Sequence, residues 1–240
     1  MTASRLPPPH AAQPAFREPL IRQVEVGLLQ NFCTLICDPV SGGCAVVDPA
    51  FEVDRICRQM DDDGVRPTAV WLTHTHFDHI EGVPTLLARL PPTTPVFVGA
   101  AEADAVRSTC LQAGVTAAIE PLHGGETLRL GSLQVQVLAT PGHTPAGRSF
   151  YLPDLGAVIT GDTLFIGSCG RPAAPHTVET LWRSLGLLAD LPEETRIYPG
   201  HDYGATPTST IGWERERNPY LRCADAASFA ALTRSRIGRG

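Results

Sequence analysis

Short apolar runs alternate along the chain with longer stretches of helical periodicity. Runs of three to six mostly apolar residues, bounded by Gly, Pro, Asn or Asp, predict β-strands. These runs occupy residues 21–26, 32–37, 44–47, 68–72, 95–98, 127–130, 134–138, 149–152, 157–160 and 196–198. Apolar positions at helical spacing predict helices over residues 52–60, 83–90, 101–113, 178–188 and 229–236. The Gly- and Pro-containing stretch 165–175 is predicted to be a loop.

The order of these elements indicates two β-sheets. Strands and helices alternate in the first half of the chain, whereas short strands separated mostly by Gly-containing turns or loops follow one another in the middle. Two sheets sandwiched between outer helices would accommodate both patterns.

One strand runs directly into a dense group of metal-binding residue types. Residues 73–79 read THTHFDH and follow the apolar strand 68–72. Side chains alternate sides in an extended segment, so His74 and His76 are predicted to point the same way. Asp78 and His79 lie beyond the strand end and approach from another direction. Burying four such groups without partners would cost several kcal/mol, so the motif predicts a metal site, with two ligand sets favoured over one.

Three later strand ends repeat this design. In each, an apolar strand is followed by Gly and then by His143, Asp162 or His201. Taken singly, each residue is more simply a turn His or a turn Asp. Together with the first motif they make seven groups, which exceeds the four ligands that one zinc ion usually takes. Two ions that share a bridging carboxylate would use all seven, and Asp162 is the natural bridge.

Composition excludes several classes of partner. The 240 residues are 43% hydrophobic and 18% charged, with a net charge of −6. An acidic chain without a Lys/Arg block is a poor candidate for binding nucleic acid or an anionic membrane surface. The seven scattered cysteines form no Cys-x-x-Cys pair, which favours reduced thiols and a cytoplasmic location.

Four motifs resemble the metallo-β-lactamase superfamily. They are THTHFDHIEG at 73–82, TPGHTP at 140–145, TGDTLF at 160–165 and YPGHDY at 198–203. The resemblance implies an α/β fold, a four-layer αββα sandwich of two mixed β-sheets. This domain is expected over residues 21–222, after a flexible N-terminal tail at 1–20 and before a C-terminal helix and tail at 223–240.

The same resemblance implies the ligand sets. His74, His76 and His143 would hold one metal ion, and Asp78, His79 and His201 the other. Asp162 would bridge the two ions, which are expected to be divalent. Zn²⁺ is the first expectation, and Fe or Mn are alternatives that the same ligands accept. Asp78 and Asp162 are also the predicted catalytic residues, because they would orient the attacking hydroxide.

Residues 161–171, GDTLFIGSCGR, resemble both the glyoxalase II (hydroxyacylglutathione hydrolase) branch and the persulfide dioxygenase branch. The first implies a hydrolase in which a metal-bound hydroxide attacks a thioester such as an S-acylglutathione. The alternative is an iron-dependent dioxygenase acting on glutathione persulfide, with iron on His74, His143 and Asp162. A non-catalytic or nucleic-acid-processing member is disfavoured, because no ligand is missing and the chain is acidic. The expected partner is a small thioester or thiol-derived molecule, with a homodimer left open.

Some residues depart from both branches. Fewer residues follow His201 than in glyoxalase II, and Arg171 is followed by Pro172 rather than by the Thr-Asp of the dioxygenases. Arg171 and Tyr203 are the predicted substrate contacts, although an exposed loop Arg and a packed Tyr explain them equally well. Asp202 is predicted to support a ligating His.

Overall fold

The computed structural model describes residues 16–237 and builds them around two six-stranded sheets. The first sheet has its strands in sequence order, with β1–β3 antiparallel and β3–β6 parallel. Its strands are β1 (Leu20–Val26), β2 (Asn31–Cys37), β3 (Gly43–Val47), β4 (Arg66–Trp71), β5 (Pro95–Gly99) and β6 (Ala118–Leu122). The helices of this half are α1 (Val53–Asp63), α2 (Phe77–Ile80), α3 (Val83–Leu87) and α4 (Ala103–Gln112).

The second sheet has the spatial order β14-β13-β10-β9-β8-β7. Only β10 and β13 are parallel neighbours in it. The second half contains β7 (Thr127–Leu130), β8 (Leu133–Ala139), β9 (Arg148–Leu152), β10 (Ala157–Gly161), β11 (Leu164–Phe165), β12 (Ser168–Cys169), β13 (Arg196–Pro199) and β14 (Ser209–Thr210). Its helices are α5 (Val178–Ala189), α6 (Ile211–Arg217) and α7 (Ala226–Ile237).

Three apolar layers hold these elements together. In β2, whose seven residues are all buried, Leu35 packs towards the helices and Ile36 towards the second sheet. This alternation is expected of a strand covered on both faces. Between the sheets, the Trp71 and Phe150 rings lie 5.1 Å apart, while Phe229 of α7 packs in the outer layer with α5. The predicted four-layer sandwich of two mixed sheets is confirmed.

Several local predictions were incomplete. Strand β6 was missed because Glu120 and Pro121 interrupt its apolar pattern. Proline is tolerated there because β6 is an edge strand. Helix α2 was also missed, since it is a single turn. The loop predicted over 165–175 was wrong in part, because β11 and β12 form a small hairpin. The Asn218 side chain holds that hairpin by donating to the Ser168 carbonyl at 2.9 Å.

Two further expectations concern the ends of the chain and membranes. The N-terminal tail predicted over 1–20 lies mostly outside the described residues. Among the described helices, none combines the length and the apolar character needed to cross a bilayer. None of the seven cysteines, all of which lie in the described residues, forms a disulfide, and six of them are buried.

Candidate metal centre

The four strand-end motifs meet at one edge of the sandwich. The segment after β4 carries four of the seven predicted ligands, and β8, β10 and β13 of the second sheet each lead to one of the others. A backbone bridge between Asn31 and His201 joins the two sheets at this edge. Glycine is required at close approach, since a Cβ at Gly200 would lie 2.9 Å from the His79 ring and overlap the Asp162 carboxylate.

The first predicted set converges on one point. The Nδ1 atom of His76 lies 3.1 Å from Nε2 of His74 and 3.0 Å from Nε2 of His143. The predicted common direction of His74 and His76 agrees with this geometry. Three imidazole nitrogens that face one another at such distances form a suitable donor set for a divalent ion.

The second predicted set is equally compact. The Nε2 atoms of His79 and His201 lie 3.2 Å apart. One oxygen of Asp78, Oδ2, is 3.8 Å from His79 Nε2 and 3.4 Å from His201 Nε2. The Asn31 amide donates to the same oxygen at 3.1 Å and therefore orients the Asp78 carboxylate.

Asp162 lies between the two sets. Its Oδ1 atom is 3.3 Å from His79 Nε2, and its Oδ2 atom is 3.5 Å from His143 Nε2 and 3.4 Å from His201 Nε2. The Oδ2 atom therefore lies near a histidine of each set, and the Asp162 carboxylate has the position that a shared ligand requires.

In four of the histidines the outer ring nitrogen, Nδ1, which does not face the other predicted ligands, has a protein acceptor. A proton held at an outer nitrogen leaves the inner Nε2 with a lone pair, which is the form that binds metal. The four contacts are His74 Nδ1 with Thr73 Oγ1 at 3.0 Å, His79 Nδ1 with Asp48 Oδ2 at 3.0 Å, His143 Nδ1 with the Arg171 carbonyl at 2.8 Å and His201 Nδ1 with the Leu29 carbonyl at 2.8 Å. The donor set therefore fits divalent metal ions.

Two buried carboxylates that support the site were missed in the sequence. Asp48 accepts from the Thr73 amide at 2.8 Å and from its hydroxyl at 2.6 Å, in addition to its contact with His79. Glu102 accepts from the Thr75 hydroxyl at 3.0 Å and from the Ala146 amide at 2.9 Å. The only signal for Asp48 was an acidic residue at the end of a buried strand, and Glu102 gave no signal.

Burial and charge act against each other in the centre. Burial, with repulsion from His79, holds the pKa of His74 well below its usual range. Burial also lowers the pKa of His79, but attraction and hydrogen bonding to Asp162 and Asp48 outweigh it and raise that pKa to about 10. Burial raises the pKa of Asp162, yet His79 and His201 bring it well below the ordinary value. Asp162 is therefore ionised at neutral pH.

The predicted substrate contacts flank the centre on two sides. Arg171 is exposed, and its backbone carbonyl contacts His143. It lines a cavity of about 180 Å³ whose other lining residues include Ser168, Tyr220 and Thr233. The Tyr203 ring stacks on His201 at 4.5 Å and is 53% exposed, so it is not a packed core residue. The support predicted from Asp202 is supplied to His201 by the Leu29 carbonyl instead.

Known proteins resemble this chain over most of its length. The hydroxyacylglutathione hydrolase of Maricaulis maris (strain MCS10) is 38% identical, over 90% of this chain and 91% of that protein. The solved ETHE1 of Myxococcus xanthus is 30% identical with a TM-score of 0.76, covering 90% of this chain and 91% of that one. TTHA1623, solved in a di-iron-bound form, is 33% identical with a TM-score of 0.67, covering 83% of this chain and all of that one.

A profile described as the metallo-beta-lactamase superfamily matches residues 26–201. This span contains β2 to β13 and all seven predicted ligands, from His74 to His201. The chain belongs to the metallo-β-lactamase superfamily.

Proposed function

We propose that this protein is a metal-dependent hydrolase of thioesters, with S-acylglutathiones as the favoured substrates. The observation that carries the proposal is the pair of complete donor sets with Asp162 between them. The hydroxyacylglutathione hydrolase of Maricaulis maris, which aligns over about nine-tenths of both chains, supports the thioester substrate.

In this proposal His74, His76 and His143 hold one divalent ion and Asp78, His79 and His201 hold the other, with Asp162 as the shared ligand. We propose Zn²⁺ as the metal. Such ions, when bound, supply an acidified water and polarise the substrate carbonyl. Asp48 and Asn31 orient two of these ligands directly, and Glu102 holds the neighbouring residues Thr75 and Ala146.

The side chains around the centre have separate tasks. Asp78 and Asp162 would accept hydrogen bonds from the attacking water and so orient it. The exposed guanidinium of Arg171 would bind a carboxylate of the glutathione half. A thiolate is a good leaving group, so the reaction needs no strong general acid.

The dioxygenase alternative requires only His74, His143 and Asp162 around a single iron. That alternative assigns no role to the second donor set. The three members of this set are nevertheless each oriented by a protein group, namely Asp48, Asn31 and the Leu29 carbonyl. The second set therefore favours two ions and hydrolysis. Iron alone does not imply a site for a single ion, because TTHA1623 was solved with two iron ions.

Metal analysis combined with two activity assays tests the proposal. Protein from unsupplemented cells should contain two ions per chain, cleave S-lactoylglutathione or another S-acylglutathione, and consume no oxygen with glutathione persulfide. Asp162→Ala should abolish cleavage, whereas Asp154→Ala, at an exposed position, should not. Protein with two zinc ions that cleaves no thioester would contradict the hydrolase, and oxygen consumption by a one-iron form would support the dioxygenase.

We further propose a domain extent, a location and an assembly. The catalytic domain spans residues 21–222, followed by a helix that packs against α5. The protein acts in the cytoplasm, in keeping with seven cysteines that form no disulfide. A homodimer is its proposed assembly, which sedimentation velocity would test.

A further inference from the structure

Four large apolar side chains are exposed around the second donor set. They make up half of the eight large exposed apolar residues in the part of the chain that the structure describes. We refer to these four as the apolar rim. They are Leu28, 102% exposed, Leu29, 42% exposed, Phe77, 65% exposed, and Tyr203, 53% exposed. Clustered exposed apolar groups beside a reactive centre indicate a binding surface, whereas scattered ones do not.

The rim is fixed to the metal centre by several contacts. The turn that carries Leu28 and Leu29 accepts from His201 through the Leu29 carbonyl and from the Asp202 amide through the Gln30 carbonyl at 2.9 Å. Phe77 lies between two predicted ligands in the sequence, and Tyr203 stacks on a third. The rim is therefore presented by segments that carry the second donor set or contact it.

The rim and Arg171 are joined to different histidines of the centre. Arg171 is joined to His143 through its backbone carbonyl, whereas the rim is joined to His201 and its neighbours. Asp162 Oδ2 lies at similar distances from both histidines, 3.5 Å and 3.4 Å, so the centre is midway between them. A thioester with its carbonyl at the centre and its glutathione half at Arg171 would extend its acyl group over the rim.

We propose that the apolar rim is the acyl subsite, and that the substrates are glutathione thioesters with purely apolar acyl groups such as hexanoyl. The inference rests on the proposed thioesterase function. The rim side chains offer apolar surface to the acyl group, whereas the hydroxyl group of a lactoyl substrate would gain nothing from Leu28 or Phe77. Covering exposed apolar surface with an alkyl chain is favourable in proportion to the area removed from water.

Binding of non-hydrolysable thioethers tests the subsite separately from catalysis. The dissociation constants of S-methylglutathione and S-hexylglutathione would be measured by calorimetry on the metal-loaded protein. We expect the hexyl compound to bind at least about tenfold more tightly. Leu28→Ser should reduce this ratio at least about threefold. Val40→Ser is the matched control, because Val40 is 81% exposed in the turn at the opposite end of β2, and it should leave the ratio unchanged.

Turnover of S-acetyl-, S-hexanoyl- and S-lactoylglutathione is measured in parallel. Faster turnover of hexanoylglutathione, reduced by Leu28→Ser, supports both proposals. A thioether ratio that depends on Leu28 without any thioester cleavage supports the subsite and contradicts the hydrolase. Cleavage with a thioether ratio near one contradicts the subsite alone. If Leu28→Ser dissociates a dimer and leaves the ratio unchanged, the rim is a subunit interface and the subsite proposal is overturned.

Discussion

The Asp48 carboxylate reaches from the end of β3 to the Nδ1 atom of His79, 3.0 Å away. The same carboxylate also binds the amide and hydroxyl groups of Thr73, which precedes His74. One side chain, 2% exposed, therefore orients His79 of one donor set directly and His74 of the other set through the Thr73 hydroxyl. Its own backbone adopts the left-handed conformation, with φ of 49°, which directs the chain away from the strand end.

Replacing Asp48 with Asn should weaken metal binding while preserving all seven predicted ligands. Both oxygens of the Asp48 carboxylate accept hydrogen bonds, whereas the Asn amide has only one acceptor oxygen. The amide therefore cannot accept from His79 and from both polar groups of Thr73 at the same time. Loss of such a supporting partner typically costs ten- to a hundredfold in metal affinity. Competition with a chelating dye would measure the change, with Asp154→Asn as the control. An affinity equal to that of the wild type would contradict the role assigned to Asp48.

Glu102 ties the first histidine motif to the loop that carries His143. Glu102→Gln replaces one acceptor oxygen with a donor and leaves either the Thr75 hydroxyl or the Ala146 amide without a partner. We expect the free energy of unfolding to fall by about 1–3 kcal/mol, and metal affinity to fall as well. Urea denaturation and metal competition are the measurements. Thr75→Val removes only one of the two bonds and should have the smaller effect; an effect as large as that of Glu102→Gln would contradict the shared role.

Two glycines allow a direct comparison of steric constraint. A Cβ at Gly170 would overlap the Asp162 carbonyl oxygen and lie 2.9 Å from His143 Nδ1, whereas a Cβ at Gly186, inside α5, meets nothing within 4 Å. Gly170→Ala should therefore lower stability and displace His143. Gly186→Ala should raise stability by about 0.5–1 kcal/mol, because alanine favours helix interiors. Thermal denaturation and metal content would be measured for both variants, and equal effects would contradict the packing described for Gly170.

Asp38 joins the two sheets. It follows the end of β2, whereas the turn that carries Leu28 and Leu29 precedes the start of that strand. It accepts from the Ser41 amide and hydroxyl at 2.7 Å and 2.6 Å, and from the Ser132 hydroxyl at 2.5 Å. Burial raises the pKa of this carboxyl, but the hydrogen bonds from Ser132 and Ser41 outweigh burial and bring the pKa below its ordinary value.

Because the folded-state pKa of Asp38 is depressed, its contribution to stability is present above the unfolded value of about 3.9 and is lost as the pH falls through the folded value. Asp38→Asn should lower the free energy of unfolding by about 1–3 kcal/mol at pH 7. The difference from the wild type should shrink below pH 4. Urea denaturation over this pH range would test the prediction, and a difference that does not vary with pH would refute it.

The sequence predicted the layers and the seven convergent groups because both depend on patterns that side chains reveal. Strand β2 is apolar on both faces, and His143, Asp162 and His201 each follow a strand and a glycine. Edge strand β6 escaped prediction because Pro121 and Glu120 are tolerated only where one side of the strand lacks a neighbour. That position depends on the assembled sheet.

The support of the site was harder to predict for a different reason. The Leu29 and Arg171 carbonyls that hold His201 and His143 are backbone groups, which every residue possesses. The contact of Asp48 with His79 depends on β3 and β4 being neighbours in the sheet. Such partners become visible only when distant segments have been placed side by side.

The chain origin of the seven groups has a consequence for folding. His74, His76, Asp78 and His79 follow a strand of the first sheet, whereas His143, Asp162 and His201 follow strands of the second. Each donor set draws on both halves, so a bound ion would act as a cross-link across more than sixty residues of intervening chain, as between His76 and His143. Ions that bind only the folded state add to its stability with the logarithm of their free concentration. The bound ions would thus also stabilise the contact between the two sheets, and metal depletion would weaken that contact as well as remove activity.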